Sequence, residues 1–237
     1  MAQGFYENNL ELPHPPISLS VFLVVEAALR ATWDLMRTKP NPNLQLLSED
    51  EDPVTCELSE RMCNEVFNRG VVDGFDRSLF AKPTRESKLK NYNGKNQDKM
   101  PDLLIDLVDR PVVRIPAQDW LFVECKPVQS GRSAGAHYCD KGIIRFVRGD
   151  YAWAMPSALM VGYVTENYTL SKKLIVALKK RKSTLPTLDF PTPCAHSPVT
   201  RWSEPVHISK HGRTFRYDET NRPAPPIVIR HLWLRRD

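Results

Sequence analysis

Residues 120–128 read WLFVECKPV. A short apolar run rich in aromatic and β-branched residues has the character of a β-strand. Side chains two apart on a strand point the same way. Trp120, Phe122, Glu124 and Lys126 therefore share one face, and Leu121, Val123 and Cys125 share the other. A carboxylate and an ammonium thus sit side by side where an apolar strand ends. Two readings are open. The pair is an exposed ion pair on an edge strand, where charge discourages aggregation and contributes about 0–1 kcal/mol, or it carries chemistry. Trp120 and Phe122 on the same face favour a covered surface with the charges at the rim of a core.

Upstream, residues 99–109 read KMPDLLIDLVD. Pro101 is tolerable as the first residue of a strand, and Asp102 follows it. Glu124 comes 22 residues after Asp102 and Lys126 two residues later. Two strands joined by a short connection bring residues at such separations together, so Asp102, Glu124 and Lys126 are expected to converge at one point of a sheet. Asp106 is the rival ligand if the register is shifted, because Asp102, Leu104 and Asp106 share a strand face. Two carboxylates with an open side suit Mg²⁺, which prefers oxygen ligands and keeps several waters. A compact lysine cation beside them suits phosphate chemistry.

The rest of the chain frames this constellation. A helix is expected from Ser18 or Ser20 to about Arg37, with Val21, Val24, Val25, Ala28, Leu29 and Leu35 at helical spacing. The acidic stretch SEDEDP reads as a loop leading into a second helix from about Thr55 to Arg69. Residues 83–99 read as a loop or a weakly paired strand. GRSAGA (131–136) reads as a flexible segment feeding a helix at about 137–148. SALMVGYV (157–164) has the continuous apolar character of a central strand. A further helix is expected over about 171–182, the proline-rich stretch 186–198 reads as a connector, and short strands such as PVHIS and IVIRHLWL follow. The pattern predicts one α/β domain over residues 1–237, with a mixed central sheet flanked by helices and a β-rich extension over 186–237.

Composition sets the outer bounds. The 237 residues are 41% hydrophobic and 26% charged, with a formal net charge of +5 and a pI near 8.9, which makes a polyanionic partner plausible. Five cysteines, none in a metal-ligand spacing, read as buried thiols of a cytoplasmic protein. The first dozen residues look like an arm without a signal-peptide core, and VFLVVEAAL is too short to span a bilayer. No membrane association is expected.

The proline–aspartate pair Pro101–Asp102, followed by Glu124, Cys125 and Lys126 as an E-x-K element, resembles the PD-(D/E)XK nuclease superfamily, the restriction-endonuclease-like fold. The order helix, three-strand meander, helix, strand over about residues 55–165 resembles it too. The resemblance implies that Asp102 and Glu124 are metal ligands and Lys126 the catalytic lysine. It implies Mg²⁺ as cofactor, with Mn²⁺ as a substitute, and hydrolysis of phosphodiester bonds in nucleic acid, DNA ahead of RNA. The family's habits point to a prokaryotic defence or restriction setting. The family often adds an acidic residue from the helix before the meander, for which Glu60 and Glu65 are the candidates, and a polar residue from the following helix, for which Tyr138 and Lys141 are. No separate reading module is visible, so the chain is expected to be nonspecific, to rely on a homo-oligomer or to be directed by a partner protein. The alternative from another class is a noncatalytic subunit of the same fold that binds nucleic acid or assembles with a partner.

Overall fold

In a computed structural model, the structure describes residues 11–108, 110–165, 168–198, 200–218 and 220–237. The arm read over the first dozen residues lies, for residues 1–10, outside the described residues. Helix α1 (Leu19–Thr38) begins where the Ser18 side chain accepts from the Val21 N–H, an N-cap that satisfies one of the helix's orphan donors. Helix α2 (Glu51–Arg61) runs on into a π-helical turn, Met62–Phe67. Its start corrects the sequence reading, which placed the acidic stretch in a loop. Glu51 and Asp52 form the first turn, where negative charge meets the positive end of the helix dipole, and Pro53 follows where no backbone donor is needed.

The strands are β1 (Thr84–Arg85), β2 (Leu103–Asp106), β3 (Trp120–Val128), β4 (Ser157–Val164), β5 (Thr187–Pro193), β6 (His207–His211) and β7 (Ile227–Arg235). They form one mixed sheet in the order β1-β2-β3-β4-β7-β6-β5. β1, β2 and β3 are antiparallel neighbours, and β4 lies parallel to both β3 and β7. The parallel β3–β4 step is made by a π-wound segment, Ala134–Ile143, that continues as α3 (Ile144–Arg148). GRSAGA is therefore not merely a flexible lead: Ser133 caps this helix by accepting from the Ala136 N–H at 3.1 Å. A second such segment, Leu170–Leu174, continues as α4 (Ile175–Lys179).

Two further corrections concern the C-terminal part. The proline-rich 186–198 stretch holds edge strand β5, antiparallel to β6 with register shifts. An edge strand loses no ladder where prolines face outward, and bulges accommodate the rest. The region read as an extension is also integral, since β7 lies between β4 and β6 inside the sheet.

Both faces of the sheet are covered, which is why β3 and β4 read as near-continuous apolar runs. On one face Tyr163 of β4 stacks on Trp33 of α1 at 5.3 Å and meets Thr55 of α2 at 3.0 Å. On the other, Tyr138 packs edge-on against Trp233 of β7. β3 is thus an interior strand, and the reading of Glu124 and Lys126 as an exposed edge pair falls away.

Candidate active site

The β2–β3 ladder pairs Leu103 with Val123. Extended by one residue, the same register sets Asp102 opposite Glu124. Asp102 is anchored there because its Oδ2 accepts the Cys125 N–H at 2.6 Å. Lys126 extends from the same strand, and its Nζ lies 2.8 Å from Glu124 Oε1 and 3.4 Å from Asp102 Oδ2. It also donates to the Cys125 carbonyl at 2.7 Å and pairs with Glu51 at the start of α2. The helix covering this face must pass close to the lysine stem. A Cβ on Gly142 would stand 3.3 Å from Lys126 Cγ and 2.6 Å from Met160 Cε, so only glycine leaves the stem in place without a shift.

Three carboxylates therefore surround one ammonium. A second cation joins them, with Arg145 Nη1 3.3 Å from Glu124 Oε1, and the Tyr151 hydroxyl donates to Glu124 Oε2. With all five charges ionised, Glu51, Asp102 and Glu124 against Lys126 and Arg145 leave a net charge of −1. Glu124 is fully buried, and burial together with the neighbouring Asp102 charge pushes its carboxyl up to about 7, against the opposing pull of Lys126 and Arg145. Burial alone would lower the Lys126 pKa, but Glu124, Asp102 and Glu51 outweigh it and raise it, so the lysine stays charged. Burial also raises Glu51, with Lys126 drawing it back. Although two cations stand near it, Glu124 Oε1 makes no hydrogen bond of acceptable geometry.

The cluster opens on a cleft of about 360 Å³. Asp50, Glu51 and Asp52 from the start of α2 form its acidic bank, while Arg132, His137, Lys141 and Arg145 form a basic bank facing it. Arg132 pairs with Asp50 across one end. Burial lowers the pKa of His137, and the neighbouring cations Lys141, Arg132 and Lys126 lower it further. The cleft thus sets oxygen donors of Asp50, Glu51 and Asp52 on one side and cations on the other, with Lys126 between them and the buried Glu124.

Asp102, Glu124 and Lys126 come together as the strand reading expects, and Lys141 lines the same cleft. Asp106 pairs with Trp120 at the other end of β2, four residues and about 13 Å from Asp102. The two helix acids lie elsewhere. Glu65 is 3.8 Å from Arg61, and Glu60 takes a weak contact from Cys56 Sγ at 3.8 Å. Tyr138 is fully buried, its hydroxyl donating to the Met160 carbonyl at 3.3 Å and meeting His231 Nδ1 at 3.1 Å, so it offers nothing to the cleft. Glu51, Arg145 and Tyr151 are the members that sequence reasoning missed. For Glu51 the signal was present, as an acidic pair before a proline marks a first helical turn. Arg145 and Tyr151 are brought in by tertiary packing alone.

Among the described residues no three His, Cys, Asp or Glu side chains form a ready metal-ligand group, and Lys126 takes the central place between the carboxylates. All five cysteines are free thiols, and no helix among the described residues is long and apolar enough to cross a membrane. No protein-family model matches the chain, and no curated protein and no solved structure matches it either.

Proposed function

We propose that the protein is a metal-dependent nuclease with a restriction-endonuclease-like core. The observation that carries this reading is the convergence of Asp102, Glu124 and Lys126 at one end of adjacent strands, with Lys126 lining a cleft that has a basic wall. The element order supports it. Helix α2, the antiparallel run β1-β2-β3, the helix over 134–148 and the parallel strand β4 follow one another as the resemblance implies.

The donor types suit a hard divalent cation, which would take the place that the Lys126 ammonium now holds among the carboxylates. Asp102 and Glu124 offer carboxylate oxygens behind Lys126, which stands between them and the cleft, Glu51 adds a third that lines the cleft, and Glu124 Oε1 has no well-aligned hydrogen-bond donor. Asp102 and Glu124 would hold Mg²⁺, with Glu51 as the third candidate. When bound, such an ion supplies charge neutralisation at the phosphate and a more acidic water. The chain's own residues do the rest. Lys126, kept charged by its carboxylates, orients the attacking water or stabilises negative charge growing on the phosphate. Arg145 and Lys141 on the basic bank hold the flanking phosphates, and Arg145 does so with a planar fork suited to phosphate oxygens. Tyr151 fixes the Glu124 carboxylate by its hydrogen bond. DNA is the preferred substrate and RNA the second.

The test is cleavage of plasmid DNA, single-stranded DNA and RNA by the purified protein with Mg²⁺, with Mn²⁺ and with EDTA, beside Lys126→Ala. Metal-dependent cutting that the variant loses is the expected result. Cutting that survives Lys126→Ala rejects this site. A folded protein that cuts nothing with either metal rejects the nuclease and leaves the noncatalytic nucleic-acid-binding subunit.

A further inference from the structure

The positive charge of the chain is gathered on one helical layer. Residues 131–149 and 166–189 hold ten Lys and Arg and three Asp and Glu, a net +7 against +5 for the whole chain, so everything else sums to −2. The first segment carries the helix whose cations bank the cleft, and the second carries α4 with its π-wound lead. We propose that the outer face of α4 and its lead is a docking surface for the phosphate backbone of a DNA duplex that reaches into the cleft. The choice of DNA rests on the nuclease reading above.

The face is set by the helix period. Leu170, Leu174, Ala177 and Leu178 are buried against the body, which turns Lys172, Lys173, Val176, Lys179 and Lys180 outward, all of them exposed. Lys182, just past the helix, is exposed as well. Among the described residues none of these five lysines forms an ion pair. Arg181, by contrast, is committed to docking: its Nε and Nη2 donate to the two carboxylate oxygens of Asp140 at 2.7 and 2.8 Å. Gly135 permits this approach, since a Cβ there would stand 2.5 Å from the guanidinium. The fork neutralises the one acid of the 134–148 helix and holds α4 beside it. Lys141, the residue after Asp140, lines the cleft, so the lysine face and the cleft are joined through one bidentate contact.

The chemistry of the face selects the occupant. Lysine ammoniums are compact point charges that suit phosphate oxygens and read no sequence. A single strand stacks its bases on open rings, and this layer has none to offer. Tyr138 and Phe146 are buried, Lys173 Nζ covers Tyr168 at 4.7 Å, and Lys179 and Lys182 stand over Phe190 at 6.0 and 5.9 Å. An anionic membrane needs an apolar face to bury, whereas Val176 is the one apolar side chain exposed on this helical face. A duplex needs neither, because its phosphates lie outward at one charge per about 1.7 Å of axis. Neighbouring helices pack about 8–10 Å apart, which lets α4 hold the backbone beyond the stretch that Lys141 and Arg145 hold in the cleft.

The experiment is fluorescence-anisotropy titration of the full chain with a random-sequence DNA duplex in EDTA, where no hydrolysis is expected, repeated from about 50 to 200 mM salt. Each lysine on a phosphate adds about 0.9 to the slope of log K against log salt. The triple variant Lys172→Ala, Lys179→Ala, Lys180→Ala is expected to bind about tenfold more weakly at low salt and to flatten the slope by about 2–3. All three side chains are exposed, so the variant keeps its core. A control triple, Lys39→Ala, Lys90→Ala, Lys95→Ala, removes the same charge from exposed positions elsewhere and is expected to keep the native affinity and slope. Equal weakening in both triples would reduce the effect to net charge and overturn the proposal. Absence of duplex binding by the native chain, or an α4 triple that binds as the native chain does, would overturn it too. So would a single strand bound as tightly through the same lysines, or phosphatidylserine vesicles captured through them in place of the duplex. A duplex held through these lysines by a chain that cuts nothing with either metal would reject the nuclease alone and leave this surface standing.

Discussion

Two of the buried polar clusters on the sheet are built on opposite plans. The first surrounds Glu124 between β2 and β3. The second surrounds Ser209 between β6 and β7, where Ser209 Oγ lies 2.8 Å from His211 Nε2 and 2.7 Å from His231 Nε2. His231 Nδ1 meets the Tyr138 hydroxyl, which donates to the Met160 carbonyl, and Thr187 Oγ1 stands 3.4 Å from His211 Nδ1. One assignment of protons satisfies every member: Thr187 donates to His211, His211 to Ser209, Ser209 to His231, His231 to Tyr138, and Tyr138 to the carbonyl. Burial keeps both rings neutral, lowering His211 to about 4 and His231 well below its usual value. The Ser209 cluster is neutral and buried at its centre, and each of its polar hydrogens has an acceptor. The Glu124 cluster carries charges, keeps a carboxylate oxygen without a well-aligned donor and reaches a cleft through Glu51, Lys126 and Arg145. A closed network specifies a core, whereas an open one retains capacity for a ligand.

The comparison can be broken in four places. Asp102→Asn removes a carboxylate from the open cluster while keeping an acceptor for the Cys125 N–H, so cleavage should fall by roughly 10²–10³-fold with the melting temperature nearly unchanged; a large loss of stability would place Asp102 in the closed class instead. Acid should strike the other cluster. The unfolded chain takes a proton on His211 near its ordinary value of 6.5, while the folded chain resists until about 4. The unfolded state therefore binds more protons across that window, and stability falls as pH drops through it, by about 3 kcal/mol in all from this group. Glu124, raised to about 7, shifts stability the other way over the same window, so the measure is the difference between the native chain and His211→Gln in urea unfolding at pH 7 and pH 4.5, with the variant losing less stability in acid. Ser209→Ala strips the shared partner from two ring nitrogens, at a cost of about 2 kcal/mol in urea unfolding, with the cleavage rate of the folded protein unchanged. Smallest is Glu51→Gln, which lies at the rim and pairs with Lys126; a cleavage loss of about tenfold is expected, and an unaltered rate would remove Glu51 from the site.

Sequence legibility divides along similar lines. Strands β2, β3 and β4 are visible because period-2 faces and continuous apolar runs report burial directly. Asp102, Glu124 and Lys126 are visible because charge at the end of such runs has few structural uses. Glu51 escaped because acidic runs resemble solvated loops, although the same residues favour the positive end of a helix. β5 escaped because prolines signal connectors, and only an edge position reconciles them with a strand. Tyr138 was drawn toward Lys141 by α-helical spacing. In the π-wound segment Ala134–Ile143 the wider turns separate residues three apart, so Lys141 faces the cleft while Tyr138 turns into the sheet. Arg145 and Tyr151 belong to no local pattern, since their contacts with Glu124 cross 21 and 27 residues.

The placement of β7 has a temporal consequence. Its pairing with β4 joins Ser157 to Val228, residues 71 positions apart in the chain. During synthesis β4, with Glu124 and Lys126 already on the strand beside it, emerges long before its second neighbour exists. At the N-terminal synthesis rates typical of growing chains, about 5–20 residues per second, that interval is several seconds. Throughout it one edge of an apolar parallel strand stands unpaired and open to other chains. The late arrival of β7 is thus the step that ends this exposure, and non-local parallel pairing of this kind is intrinsically slow. A growing chain of this protein should depend on holding factors more than its size alone suggests, and it should acquire a rigid β3–β4 floor only after residue 235 has left the ribosome.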